Sequence, residues 1–352
     1  MSGAALRVLQ IVSRLEGRGG IGHVVAGGAR ALAARGLDVH VAGPRAGEDL
    51  SMFGDVPLHV LAQRGTRLAT LLDLVPLVRR LRPQVVHFHS AMPHGEVVAV
   101  LRLLRAARLL VVTPHSSRPY AKRRARLGVR AADLVIAPSL WAAEHARAAG
   151  ARHVAVSHAG IEAGDEPEFD AREPIVLALG RLAETKGFDL LLTAFEASAS
   201  PRPAWQLWFA GEGTERAALE ARARGLACAD RVRFLGWIGG AAKAAVLARA
   251  AIGVVPSHRE SFGGALLEMQ ARGLACIASD AGALPEVAAH GAAARVFPRG
   301  NVRALAAALH ALMDDASARR TLAAAGRRNA LALSWSAFAA RTEELYCDAL
   351  AR

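Results

Sequence analysis

Short continuous apolar runs alternate with longer stretches of helical period along the first half of the chain. Residues 6–12, 39–42, 85–89, 109–113, 134–137 and 154–157 have the length and composition of buried strands. A glycine-rich turn at 17–22 and a helix at 23–35, closed by Gly36, separate the first two. This rhythm predicts a parallel, doubly wound α/β sheet, because parallel strands are covered on both faces and read as unbroken apolar runs. At 164–174 the composition turns acidic and proline-containing (GDEPEFDAREP), as an interdomain linker would. The rhythm then restarts, with strands expected at 175–179, 207–210, 232–235, 252–255 and 275–278 and a helix at 187–199. An amphipathic helix is expected at 335–350. Two α/β domains of similar size follow from the pattern.

Length agrees, since 352 residues exceed what one hydrophobic core usually serves. No apolar run reaches the roughly 20 residues that cross a bilayer. The first ten residues lack the charged, apolar and small-residue segments of a secretory signal, so a cytoplasmic protein is expected. Cys228, Cys276 and Cys347 are odd in number and far apart, which suits a reducing compartment. The net charge of +13 is unevenly spread: residues 1–165 hold 22 Lys and Arg against 11 Asp and Glu, and the remainder nearly balances. The densest stretch is Arg118, Lys122, Arg123, Arg124, Arg126 and Arg130. Such a face attracts an anionic membrane or an anionic acceptor, or is simply solvated. Nucleic acid is not expected, because no nucleic-acid motif accompanies the charge.

Two segments of the second half carry chemistry. Gly180-Arg181-Leu182-Ala183-Glu184-Thr185-Lys186-Gly187 joins an expected strand to an expected helix. That junction presents backbone N–H groups and a positive helix end, and Arg181 and Lys186 add the two cation shapes that suit a diphosphate. Further on, Glu260-Ser261-Phe262-Gly263-Gly264 leads to Glu268, two carboxylates with seven residues between them. Phe262-Gly263-Gly264 lies at the expected loop-to-helix junction after the strand at 252–255; were the segment wholly helical, the carboxylates would stand about 12 Å apart, a span that fits the sugar and ribose ends of a sugar nucleotide. Carboxylates accept paired hydrogen bonds from vicinal hydroxyls.

In the first half, Gly17-Arg18-Gly19-Gly20-Ile21-Gly22 meets the dinucleotide pattern G-x-G-x-x-G formally, with Asp38 downstream. Nothing in the second half supplies a hydride-transfer base to go with it. His115, in Thr113-Pro114-His115-Ser116, ends a strand, where α/β sheets place ligands. His87 and His89 alternate on one strand, followed by Ser90 and His94, but no carboxylate or cysteine completes a metal site.

GRLxxxKG followed by E-x7-E with its ESFG start resembles the GT-B family of retaining glycosyltransferases known as group 1 or family 4. Ala210-Gly211-Glu212-Gly213, Phe234-Leu235-Gly236-Trp237 and Gly282-Ala283-Leu284-Pro285-Glu286-Val287 extend the resemblance in register. It is strong over roughly 175–300 and weaker before. Where relatives carry Pro-Asn-Gly before the linker, this chain has His158-Ala159-Gly160. The resemblance implies two Rossmann-like domains facing across a cleft. An acceptor-binding domain would span 1–165, with the helix 335–352 packed back on it, and a nucleotide-sugar-binding domain would span 170–334. It implies a hexose moved from a nucleotide diphosphate sugar to an acceptor hydroxyl, UDP-sugar before GDP-mannose, in cell-surface glycan or glycolipid synthesis. Arg181 and Lys186 would hold the diphosphate, Glu260 and His115 the donor sugar, and Glu268 the ribose. Gly180, Ser261, Phe262, Gly263 and Gly264 would approach sugar and phosphate. Gly211, Glu212, Gly236 and Trp237 would lie at the base, and Gly20 and Gly22 would face the donor. No cofactor and no metal are implied. The acceptor would be a glycan, a lipid-linked molecule or a small molecule, with peripheral contact to the inner membrane face. A GT-B epimerase and a non-catalytic sugar-nucleotide-binding subunit share the architecture and stand as alternatives.

Overall fold

Every strand of the chain's two sheets lies parallel to its neighbours, and the computed structural model divides the chain into two compact units. It describes all residues except 1–4, 16–18, 45–48, 63–66, 90–94, 117–122, 163 and 165–167. Gly17, Arg18, Ser90, His94, Arg118 and Lys122 therefore lie outside the described residues. One unit comprises Met1–Gly160 with Leu333–Arg352, the other Ile161–Ala332.

The first unit runs β1 (Arg7–Val12), α1 (Gly20–Ala34), β2 (Asp38–Pro44), β3 (Leu58–Leu61), α2 (Arg67–Leu81), β4 (Val85–His89), α3 (Gly95–Leu103), β5 (Leu109–Thr113), α4 (Arg123–Ala131), β6 (Leu134–Ala137), α5 (Leu140–Ala148) and β7 (Val154–Val156). The strand order β3-β2-β1-β4-β5-β6-β7 reverses between β1 and β4. The apolar runs are strands because both sheet faces are buried. Leu9, Ile11, Val86 and Phe88 enter one core, and Val8, Val12, Val39 and Val85 enter the other.

The second unit contains β8 (Glu173–Leu179), α6 (Phe188–Ala199), β9 (Gln206–Ala210), α7 (Arg216–Arg224), β10 (Val232–Gly236), α8 (Gly240–Arg249), β11 (Ala250–Val255), α9 (Gly264–Ala271), β12 (Ala275–Ser279), α10 (Leu284–Val287), β13 (Arg295–Phe297), α11 (Val302–Asp314) and α12 (Ala316–Ala332). Its strand order, β10-β9-β8-β11-β12-β13, reverses between β8 and β11. The expected linker belongs to this unit. Arg327 donates to the Gly164 carbonyl at 3.1 Å, and β8 begins at Glu173 inside the acidic stretch.

The last helix, α13 (Trp335–Ala351), completes the first unit by packing on α1. Gly27 and Gly28 let it approach. A Cβ on Gly27 would overlap the Trp335 ring, and one on Gly28 would stand 2.7 Å from the Phe338 ring. The turn at Gly160 packs against Trp335 in the same way, so Ala159-Gly160 is a buried packing turn.

One expectation needs correction. Helix α1 starts at Gly20, so Gly20 and Gly22 form its first turn and are not part of a preceding loop. The loop-to-helix junction falls at Phe262-Gly263-Gly264 as expected: α9 begins at Gly264, after Gly263 caps it with φ +105°. Asp38 opens β2, at the strand end opposite to where a dinucleotide's ribose would be read, and is engaged by Arg7 and His40. The dinucleotide reading fails on that placement.

Candidate functional site

The carboxyl ends of strands flanking a reversal in strand order are where open α/β sheets bind ligands. In the second unit those strands are β8 and β11. They are followed by the two chemistry-bearing segments: 180–187 leaves β8, and 256–264 leaves β11. Backbone hydrogen bonds knit these loops together. His258 N–H donates to the Thr185 carbonyl at 2.9 Å, and Leu182 N–H to the Glu212 carbonyl at 2.9 Å. Ala283 N–H donates to the Glu260 carbonyl at 3.3 Å, and Gly211 N–H to the Gly236 carbonyl at 2.7 Å. Gly211 has φ +155°, and a Cβ there would overlap the Gly180 carbonyl oxygen. Only glycine lets the loops after β8 and β9 touch through their backbones.

Within this framework Lys186 Nζ donates to Glu260 Oε2 at 2.5 Å, with side chains 21% and 13% exposed. The Ser257 hydroxyl adds a longer contact to the same oxygen at 3.4 Å, and Ser257 is itself fixed by Ser279, which donates to its carbonyl at 2.6 Å. Arg181 is exposed, and among the described residues it has no hydrogen-bond or ion-pair partner. Helices α6 and α9 start at this edge with Gly187 and Gly263 as caps, and no side chain caps either of them. Their first N–H groups and positive dipole ends, together with two cations, make an anion-binding corner.

Glu268 is part of a second contact. It sits inside α9 and accepts from Lys243 Nζ of α8 at 2.5 Å. Glu212 pairs with Arg216 beside Gly236, and the Trp237 ring, 47% exposed, lies over Gly239. The structure thus gathers Gly180, Lys186, Glu260 and Gly263 around one loop cluster. Gly211, Glu212 and Gly236 form its neighbour. Ser261, Phe262 and Gly264 continue the loop from Glu260 into α9. Lys243 was missed by sequence reasoning, because no local motif marks it. Gln270 stands two residues beyond Glu268 in the same helix. It is fully buried, donates to the carbonyls of Val287 and Ala293, and accepts from Asn329.

In the first unit, His115 follows β5, and its Nε2 stands 3.1 Å from His89 Nδ1. Thr113 donates to the Ile136 carbonyl at 2.8 Å, so its oxygen accepts from His87 Nε2–H at 2.8 Å. His87 Nδ1 then accepts the Tyr346 hydroxyl at 2.6 Å. Both His87 nitrogens are occupied, which leaves none for a metal. Burial lowers His87 to about 3 and His115 to about 4. His89 falls well below its ordinary value, first by burial and then by its histidine neighbours. Gly20 and Gly22 lie on the first turn of α1 in this unit.

Comparison with known proteins bears on both units. Residues 18–164 match the model of Glycosyltransferase Family 4, and residues 162–329 match that of Glycosyl transferases group 1. The chain is 33% identical over 206 residues to glycogen synthase of Mycobacterium tuberculosis, covering 57% of this chain and 50% of that protein. It thus spans about half the length of the curated relatives it matches. The structure superposes on sucrose-phosphate synthase from Thermosynechococcus elongatus with a TM-score of 0.83 at 24% identity, covering 98% of this chain and 99% of that one. It superposes on Anabaena Alr3699/HepE, solved in complex with UDP, with a TM-score of 0.80 at 19% identity, covering 97% and 100%. With one family model on each half and the fold of these enzymes in both units, the chain belongs to the group 1 and family 4 glycosyltransferases of GT-B architecture.

Proposed function

We propose that the protein transfers a hexose from a nucleotide diphosphate sugar, UDP-sugar first and GDP-mannose second, to an acceptor hydroxyl with retained configuration. The observation that carries this reading is the corner where β8 and β11 end. There Arg181, the Lys186–Glu260 pair and two uncapped helix N-termini converge. The bond from the anomeric carbon to the diphosphate breaks, and the acceptor oxygen bonds to the same face. Its proton passes to the departing phosphate. Arg181 and Lys186 stabilise the charge that builds on the leaving diphosphate. Glu260 and His115 contact the sugar, Glu268 the ribose, and Gly211, Glu212, Gly236 and Trp237 the base. These cations take the role a divalent metal would otherwise have, so turnover is metal-independent. A bound UDP in the HepE structure supports the choice of base.

The basic first half supports an anionic or lipid-linked acceptor in glycan or glycolipid synthesis. Leu103, Leu104 and Leu127 are exposed on or next to α3 and α4 among arginines, as at a membrane-facing surface. No helix among the described residues is long and apolar enough to cross a membrane. Binding to anionic against neutral vesicles separates a membrane-held acceptor from a soluble one.

Thermal shift with UDP, GDP, ADP, dTDP and NAD tests the donor assignment. One nucleoside diphosphate should stabilise the native protein and fail to stabilise the double variant Arg181→Ala/Lys186→Ala. Lys186→Ala should lower kcat by about 10²–10³-fold with the fold intact. Near-normal turnover in that variant, or stabilisation by NAD alone, overturns the proposal.

A further inference from the structure

The chain holds 41 arginines and only three lysines, Lys122, Lys186 and Lys243. The two in the second unit each end on one glutamate of the E-x7-E segment: Lys186 on Glu260 and Lys243 on Glu268, both at 2.5 Å. Lys243 lies in the first turn of α8, where the positive end of the helix dipole disfavours a cation. Its side chain is 27% exposed and that of Glu268 22%, so the pair sits at the rim of the unit, reachable by a ligand. Helix α8 follows Trp237 and the cap Gly239, which joins Lys243 to the loop after β10.

We propose that Lys243 is a positioning residue that holds the Glu268 carboxylate in the orientation that reads both hydroxyls of a ribose, and so restricts the donor to ribonucleotides. The proposal rests on Glu268 being the ribose acceptor. Lys243 takes Oε1, and this contact restrains the rotation of the carboxylate plane. An ion-paired carboxylate of fixed plane can accept from two vicinal hydroxyls at once, whereas a freely rotating one need not. A 2′-deoxyribose leaves one of those acceptor directions empty in a partly desolvated place, and a hydrogen bond to a charged group is lost. Lys243 need not touch the nucleotide for this to operate.

The test is the ratio of dissociation constants for 2′-deoxy-UDP and UDP, with the matching guanine pair run in parallel. It is measured by calorimetry on the native protein, Lys243→Met, Lys243→Arg and Glu268→Gln. The native protein should prefer the ribonucleotide by about tenfold or more. Lys243→Met should bring that ratio near one by weakening UDP, and Lys243→Arg should retain it. A merely structural role for the pair would weaken both nucleotides alike, leave their ratio unchanged and lower the melting temperature of the unliganded protein. That result overturns the proposal. If Glu268→Gln collapses the ratio and Lys243→Met does not, the positioning role falls while the ribose reading stands. If Glu268→Gln leaves the ratio as in the native protein, the ribose reading falls and the proposal with it.

Discussion

Tyr346 is fully buried, and its hydroxyl is the donor to His87 Nδ1. Tyr346→Phe keeps the ring and strands that nitrogen in a dry place. The cost is about 1–3 kcal/mol, because an unsatisfied buried acceptor loses its desolvation energy outright. A lowered urea midpoint with an unchanged nucleotide-induced thermal shift would show it. Ion pairs at the surface matter less. Glu173 and Arg249 are about half exposed, and solvent screens most of such a pair's attraction. At this scale legibility was uneven. Arg181, Lys186 and the two glutamates stand in motifs whose spacing can be read from the chain. Lys243 stands in none, since its meeting with Glu268 depends on how α8 and α9 pack. His115 could be read as ending a strand, but its stacking on His89 could not.

Strands β4, β5 and β6 fall where the apolar runs predict, because a continuous run bounded by polar residues has one way to bury itself in a parallel sheet. Helix α1 begins three residues before the expected start. Glycines read as a turn signal, yet the first turn of a helix tolerates them, and Gly27 and Gly28 further along serve α13. Gly28→Ala gains about 0.5–1 kcal/mol of helix propensity. It loses about 1–3 kcal/mol by pressing on Phe338, so packing decides the sign. Equilibrium unfolding should show the variant destabilised. Adding Phe338→Ala should cost less in that background than in the native protein, a coupling that independent sites would not show. The segment after β11 was easier to read, since its paired glycines mark a loop-to-helix junction and α9 does begin at Gly264, with Gly263 as its cap.

The two-domain α/β organisation was legible from the strand rhythm alone, whereas the join was not. Acidic composition marked 164–174 as a linker, and the last two residues of that stretch, Glu173 and Pro174, already belong to β8 of the second sheet. A whole-molecule consequence follows from two histidines of the first unit, His87 buried and His115 partly so. His87 and His115 lie at about 3 and about 4 against an ordinary 6.5, with burial as the cause. The unfolded chain therefore takes up protons before the folded one as pH falls. Stability is full above about pH 6.5 and declines toward pH 4, by up to about 1.4 kcal/mol per pH unit for each histidine. Urea midpoints followed from pH 7 to pH 4.5, with hydrogen exchange in β4 and β5 to locate the loss, should show the first unit yielding. A flat profile over that range would contradict the assignment of neutral buried rings.

The first unit is assembled from both ends of the chain, and on the ribosome this imposes an order. Residues up to 160 emerge with the groove on α1 open and His87 without its hydroxyl partner, and they remain so until all of 161–332 has been made. The second unit is contiguous and can close in the meantime. A nascent chain halted near residue 333, or a mature one clipped there, would hold a finished C-terminal half beside an N-terminal half with its apolar seam bare, the half that chaperones and proteases would find first.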